Sequence, residues 1–192
     1  MPKIVDHAER RRELVKASWQ VIAEEGLESL TMRKIAAAAG CTTGRLTHYF
    51  ANRGELVLAA LKAAYDSTAM RMTDMREGKG TARERLRAML EEALPLDEVR
   101  LREWKIWIAF WSAAASDDAL ARENDARHER WRDALLPLIR EIAPENDPFH
   151  EAARLIGIVD GLGLQAAINP TRENMDRARD TLARHLETLD AN

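Results

Sequence analysis

The chain has 192 residues, 46% of them hydrophobic and 32% charged, with a formal net charge of −3. That length suits one large or two small domains, and the apolar share is enough for a sizeable core. No stretch approaches the ~18 apolar residues of a membrane span, and the opening MPKIVDHAERRREL lacks the apolar run of a secretory signal. A single cysteine, Cys41, excludes an intramolecular disulfide framework, so a cytoplasmic protein is the expectation. The charge is uneven: residues 1–62 carry +3 and the remainder −6. A basic front on an acidic body is compatible with a nucleic-acid partner. Ordinary surface variation fits it as well, so charge alone establishes nothing.

Ala, Leu, Arg and Glu dominate and strand-like alternation is missing, so the chain reads as all-α with about nine helices. The first spans roughly His7 to Glu25, with Leu14, Ala17, Val21 and Ile22 as its apolar stripe and Gly26 as its stop. Thr31 is a good N-cap for a short second helix, MRKIAAAA, closed by Gly40. Thr42 or Thr43 caps a third, GRLTHYF, and Asn52 a longer fourth, RGELVLAALKAAYDSTAMRM. EGKG at 77–80 is the clearest break. Beyond it, helices are expected at about 81–94, 97–115, 118–143, 147–168 and 172–190, separated by Pro95, Ser116-Asp117, Pro144 with Pro148, and Asn169-Pro170. Pro137 falls inside the third of these, where a kink or an early end is expected. The expected division is an N-terminal domain at 1–54 and a helical domain at 55–192.

GCTTGRLTHYF, residues 40–50, carries the first chemistry. Ile35, Ala36 and Ala39 line one face of the second helix, and Leu46 and Phe50, four apart, one face of the third. The linker Gly40-Cys41-Thr42 is short enough to force a sharp crossing, which is the helix-turn-helix arrangement. Burying Leu46 and Phe50 leaves Thr43, Arg45, Thr47, His48 and Tyr49 facing out. A short, exposed, donor-rich helix with a basic residue suits the major groove of double-stranded DNA. A plain helical corner with a polar exterior is the competing reading. For Cys41, packing in the turn outweighs a redox role, and Lys34 reads as a solvated surface charge.

LTMRKIAAAAGCTTGRLTHYFANRGELVLAAL resembles the N-terminal DNA-binding domain of the TetR family of repressors. The matching features are the Thr31 start, the Ile-Ala pair, Gly40, the aromatic pair Tyr49-Phe50, the basic residue at 53 and the Glu-Leu after it; Thr47 stands where many relatives carry Tyr. The resemblance implies roles by position. Thr42, Thr43, Gly44, Arg45, Thr47 and His48 fall in the segment that meets bases and nearby backbone. Tyr49, Arg53 and Thr31 lie where relatives hold phosphates, and Arg33 where some reach DNA from the second helix. The N-terminus of the fourth helix, beside Arg53, is in addition a natural phosphate site.

Two later stretches are informative. In REWKIWIAFW, Trp104, Trp107 and Trp111 fall at i, i+3 and i+7 on one helical face. The stripe reads equally as core packing or as the wall of a ligand cavity, which Trp131 and Tyr65 could close. RLIGIVDGLGLQAAI is apolar nearly all round, so burial on several sides is expected. Its glycines at 157, 161 and 163 each cost ~1 kcal/mol of helix propensity relative to Ala, and close approach of another helix is a physical reason for them. Asp160 is the lone acid there, expected to meet an arginine, a backbone donor or a cationic ligand.

W-x-x-W-I-A-F-W together with V-D-G-L-x-L resembles the regulatory domain of the choline-sensing, betaine-pathway repressors. That resemblance implies a homodimer whose last two helices pair with their symmetry mates, with Gly157, Gly161, Leu164, Leu182 and Leu186 at the seam. It also implies a small-molecule effector, without saying which. The five histidines show no metal-ligand spacing, and no nucleophile motif, phosphate loop or carboxylate pair stands out. The expectation is therefore no enzyme, no cofactor and no metal, but a regulator released from an inverted-repeat operator by its effector. A helical adaptor protein is the alternative, and residues 31–53 are what it would not need.

Overall fold

A computed structural model describes residues 7–27 and 29–189. Among them the chain forms α1 (His7–Glu25), α2 (Met32–Ala38), α3 (Thr43–Thr47), α4 (Arg53–Arg76), α5 (Ala82–Glu92), α6 (Glu98–Ala114), α7 (Asp118–Ile142), α8 (Pro148–Ile168) and α9 (Arg172–Glu187), and no strand. Position 190, expected in the last helix, lies outside the described residues. Two compact units emerge: one runs to Asp66 and takes in Lys105–Phe110, and the other holds Ser67–Trp104 and the chain from Trp111 onward.

Local chemistry accounts for most boundaries. Thr31, Thr42, Thr81, Asp97, Asp117, Asp147 and Thr171 each accept a backbone N–H of the turn they open. These caps satisfy donors that a helix N-terminus leaves over, each contributing about 1 kcal/mol. Asn52 opens α4 by accepting from Glu55 N at 3.0 Å, and the Glu55 carboxylate reaches back to Ala51 N at 2.8 Å. Two helices differ from their expected lengths. α3 stops at Thr47, leaving His48 and Tyr49 in the following turn and Phe50 just past it, and α4 runs on to Arg76. α7 passes through Pro137 without ending. Pro137 is exposed, so water can satisfy the carbonyl that its missing N–H leaves free.

In the N-terminal unit Leu14, Ala17, Val21 and Ile22 of α1 are buried with Leu30, Ile35, Ala36, Leu46, Phe50, Leu56 and Leu61. Trp19 ties α1 to α4 by donating to Ala60 O at 2.9 Å. The turn after α2 is a Schellman closure: Gly40 N donates to Ala37 O at 3.1 Å and Cys41 N to Ala36 O at 2.8 Å. It needs φ +60 at Gly40, the left-handed region that glycine enters without steric cost. This turn sets the crossing of α2 and α3.

In the C-terminal unit α7 packs on α5 and α8, and α9 closes against α5 and α8. Leu86, Met89 and Leu90 of α5 meet Leu135, Leu138 and Ile139 of α7, Leu155 and Val159 of α8, and Leu182 and Leu186 of α9 in one core. The end of α4 joins through an ion cluster. Arg71 donates to both oxygens of Glu103, at 2.6 and 3.1 Å, to Ser67 Oγ at 2.7 Å, and to Glu92.

One expectation about α9 is corrected, and α8 keeps one side free: it is buried over a broad face, while Ala153, Gly157, Gly161, Gln165 and Ile168 form an open one. Leu182 and Leu186 are 0% and 3% exposed inside the protomer's own core, so they have no surface to offer a partner. Helical periodicity groups these leucines on one face, but it does not say whose core that face fills.

Candidate functional site

α3 presents a row of side chains because its inner face is filled. Leu46 and Phe50 are 0% and 1% exposed, while Thr43, Gly44, Arg45, Thr47 and His48 are exposed. Thr42 is committed to the cap, accepting Arg45 N at 3.2 Å. Thr47 donates to Gly44 O at 2.8 Å, which leaves its oxygen able to accept. Arg45 forms no ion pair or side-chain hydrogen bond among the described residues, so its guanidinium fork is free. Lys34, by contrast, is paired with Glu25.

The flanks are more occupied than expected. Tyr49 is half-buried, its ring 5.2 Å from that of His7. Arg11 lies over the Phe50 ring, 4.6 Å from its centroid. Arg53, expected as a phosphate holder, donates from Nε to Leu30 O and from Nη2 to Leu27 O, both at 2.7 Å. It ties the α1–α2 turn to the start of α4, a structural duty that sequence spacing did not reveal. Thr31 and Arg33 are exposed nearby on the same unit.

The indole stripe is divided between the two units. Trp107 belongs with the N-terminal unit, where it meets Phe110 edge-on with centroids 6.4 Å apart. Tyr65 belongs to that unit also. Trp104, Trp111, Trp131 and Asp160 belong to the C-terminal unit. There Trp104 is 5% exposed, donates to Ala93 O at 2.7 Å and meets Trp111 edge-on with centroids 5.6 Å apart. The ring lies directly on α8: a Cβ built on Gly163 would stand 2.0 Å from Trp104 Cζ2. Of the three α8 glycines, Gly163 is the one that admits a neighbouring side chain. Among the described residues, no atom of another element comes within 4 Å of a Cβ at Gly157 or Gly161.

From this indole pair a polar chain runs through α7 to α8. Trp111 Nε1 donates to Asn124 Oδ1 at 3.0 Å. One turn on, His128 Nδ1 faces Asn124 O at 3.1 Å and Nε2 faces Asp160 Oδ2 at 3.4 Å. Asp160 therefore meets a histidine, not the arginine or backbone donor expected from sequence. Sequence spacing gives no sign of His128, since its partner lies on another helix. The hydrogen bond to Asp160 holds the imidazole pKa above its ordinary value, against the opposing effect of burial. Trp131 sits on the core with its indole N–H buried and facing no acceptor among the described residues.

Comparison with known proteins gives both units a context. Residues 14–60 match the bacterial regulatory proteins of the tetR family. Residues 82–191 match the BetI-type transcriptional repressor C-terminal domain. The chain belongs to the TetR family. It is 33% identical to the HTH-type transcriptional regulator PksA of Bacillus subtilis, over 98% of this chain and 94% of that protein. Among solved structures it resembles a transcriptional regulator from Rhodococcus sp. Rha1, with 31% identity, TM-score 0.80, and 92% and 95% of the two chains covered. A Saccharomonospora viridis putative transcriptional regulator, solved in complex with choline, shares the fold at 24% identity and TM-score 0.86, over 94% and 96% of the chains. This TetR-family chain is thus a DNA-binding transcriptional regulator of the repressor type, with α2 and α3 as its helix-turn-helix. None of its described helices is long and apolar enough to cross a membrane.

Proposed function

We propose that the regulator is a homodimer that reads an inverted repeat with α3 of each protomer and releases it when a small cationic effector occupies the α6–α7–α8 cluster. The observation that carries the DNA part is the exposed row Thr43, Gly44, Arg45, Thr47 and His48, held outward by buried Leu46 and Phe50. In this reading Thr31 and Tyr49 hold phosphates, Thr42 meets bases or nearby backbone, Arg33 reaches DNA from α2, and the engaged Arg53 contributes chiefly by fixing the turn. A two-fold reader of a palindrome needs its helices ~34–36 Å apart, one turn of DNA, or a multiple of that.

Arg45→Ala is expected to cost about 1–3 kcal/mol of operator affinity and to relax preference at one position per half-site. Wild-type binding should fall steeply with salt, through release of counterions from the phosphates. Selection from random duplexes, followed by titration at two salt concentrations, measures both. Recovery of no preferred sequence would remove the main support.

The open face of α8 supports the dimer reading. It aligns Gly157 and Gly161 with Ile168, which is 70% exposed, and half-buried Leu164 borders it. Gly161→Leu tests it cleanly, because the protomer leaves space around that position. Folding should persist while self-association weakens by roughly 1–3 kcal/mol of overpacking across the seam. Sedimentation at micromolar concentration reads the outcome, and a wild-type monomer would refute the premise.

For the effector, indole faces and an acid suit a cation, since a desolvated cation–π contact contributes ~2 kcal/mol or more. The choline-bound structural neighbour supports the same class. Release follows if the ligand binds better to the arrangement whose reading helices are wrongly spaced. Tryptophan emission titrated with choline, then with neutral aromatics, tests the class; a response confined to the neutral compounds would reverse it.

A further inference from the structure

Resting on the reading of this cluster as a cation site, we infer that His128 is its specificity-determining residue: a permanent cation settling at Asp160 takes the place of the proton on His128, so uptake of effector is an exchange of one positive charge for another. The geometry of the imidazole carries this. Nδ1 faces Asn124 O, a carbonyl that can only accept. Nε2 faces Asp160 Oδ2, an acceptor while the carboxylate is ionised. Both ring nitrogens therefore call for a proton, and the imidazolium is the form that fits these two acceptors without ligand. It neutralises Asp160 internally.

The charges that bear on His128 come from few places. α8 supplies Asp160, and α7 itself supplies Asp125. Arg127, the chain neighbour, is held by Glu123 at 2.9 Å. α6 brings Trp104 and Trp111 to the cluster, the latter through Asn124. α5 also packs on α7, but its Arg85 pairs with Glu141 near the far end of that helix, at 3.3 Å. A quaternary ammonium entering beside Asp160 meets the imidazolium as a like charge. Such a charge within ~4–6 Å lowers a group's proton affinity about ten- to a thousandfold. The proton on Nε2 then leaves to solvent, for which the pair is open enough: the His128 and Asp160 side chains are 31% and 30% exposed. Nδ1 keeps its hydrogen on Asn124, so the residue that anchors Trp111 is undisturbed.

The sign follows from linkage. Free protein binds the proton more tightly than the complex does, so cation affinity rises with pH and levels off above the raised pKa of His128 in the free protein. The steepest part is limited to about tenfold per pH unit, the value for one proton exchanged. A primary-amine effector would obey the same rule, whereas a neutral aromatic would bind without it.

The test is calorimetric titration of the full-length protein with choline across pH 5.5 to 8.5, in buffers of different ionisation enthalpy. Net release of a fraction of a proton per protomer is expected, largest between the His128 pKa of the complex and that of the free protein and falling away on either side. The same titration of His128→Gln should bind choline with no release from this site and with a flatter pH profile. If that variant does not fold, the His128 ring resonance of the wild type, followed by NMR with and without choline, gives the same answer as a fall in its pKa. Choline binding with no proton release and a flat profile overturns the exchange and leaves the cation site standing. Failure of choline to bind at any pH overturns both.

Discussion

Gly163→Ala is expected to destabilise the C-terminal unit by about 3 kcal/mol, although alanine is the better helix former by ~1 kcal/mol. The reason is a single contact. The new methyl would lie 2.0 Å from Trp104 Cζ2 and 2.3 Å from Cη2, well inside van der Waals distance. Trp104 cannot retreat without cost: its N–H is bonded to Ala93 O, and its ring meets Trp111 at 80°. Moving it also disturbs the anchor of the candidate effector site. Urea unfolding followed by tryptophan emission reads the stability. In a Trp104→Phe background the same substitution should cost at least ~1 kcal/mol less, because the smaller ring gives way. Equal costs in the two backgrounds would show that the Gly163–Trp104 contact is not the cause.

Arg71→Met should be comparably damaging, by roughly 3–5 kcal/mol, toward the lower end because the arginine side chain is 30% exposed. Glu103 and Glu92 are 4% and 10% exposed as side chains, and Arg71 bonds to both. Removing the cation leaves two carboxylates close together in a medium that solvates neither well. Arg100 reaches Glu92 at 3.4 Å and relieves part of that charge, whereas Glu103 is left accepting from the neutral Thr68 Oγ1 at 3.2 Å. The triple variant Arg71→Met, Glu92→Gln, Glu103→Gln should recover more than half of the loss, since uncharged groups there no longer need a counter-ion. Thermal unfolding of the three forms measures this. A single variant as stable as wild type would mean that the cluster is decorative.

Local rules fixed much of this protein. Threonine, aspartate and asparagine caps, Gly26 and Gly40 as stops, and the apolar stripe of α1 each depend on residues within one or two turns, so they can be read in one dimension. The outward row of α3 follows in the same way, from Leu46 and Phe50 four apart. The short reach of α3 and the continuation of α7 through Pro137 were less legible, because packing and solvent access can override propensity at those positions.

What only the tertiary structure decided is which face meets which neighbour. Periodicity put three tryptophans on one stripe, but the division between the two units falls within it, with Trp104 and Trp111 in one and Trp107 in the other. It marked three glycines in α8 and could not say that Gly163 admits an indole while Gly157 and Gly161 stand open. It named Asp160 as an acid in need of a partner, and that partner, His128, is 32 residues away on another helix. Arg53 likewise reached back 23 residues to Leu30 O. Side-chain spacing defines a helix surface; the choice of contact across that surface is set by the packing of elements distant in sequence, and no local pattern encodes it.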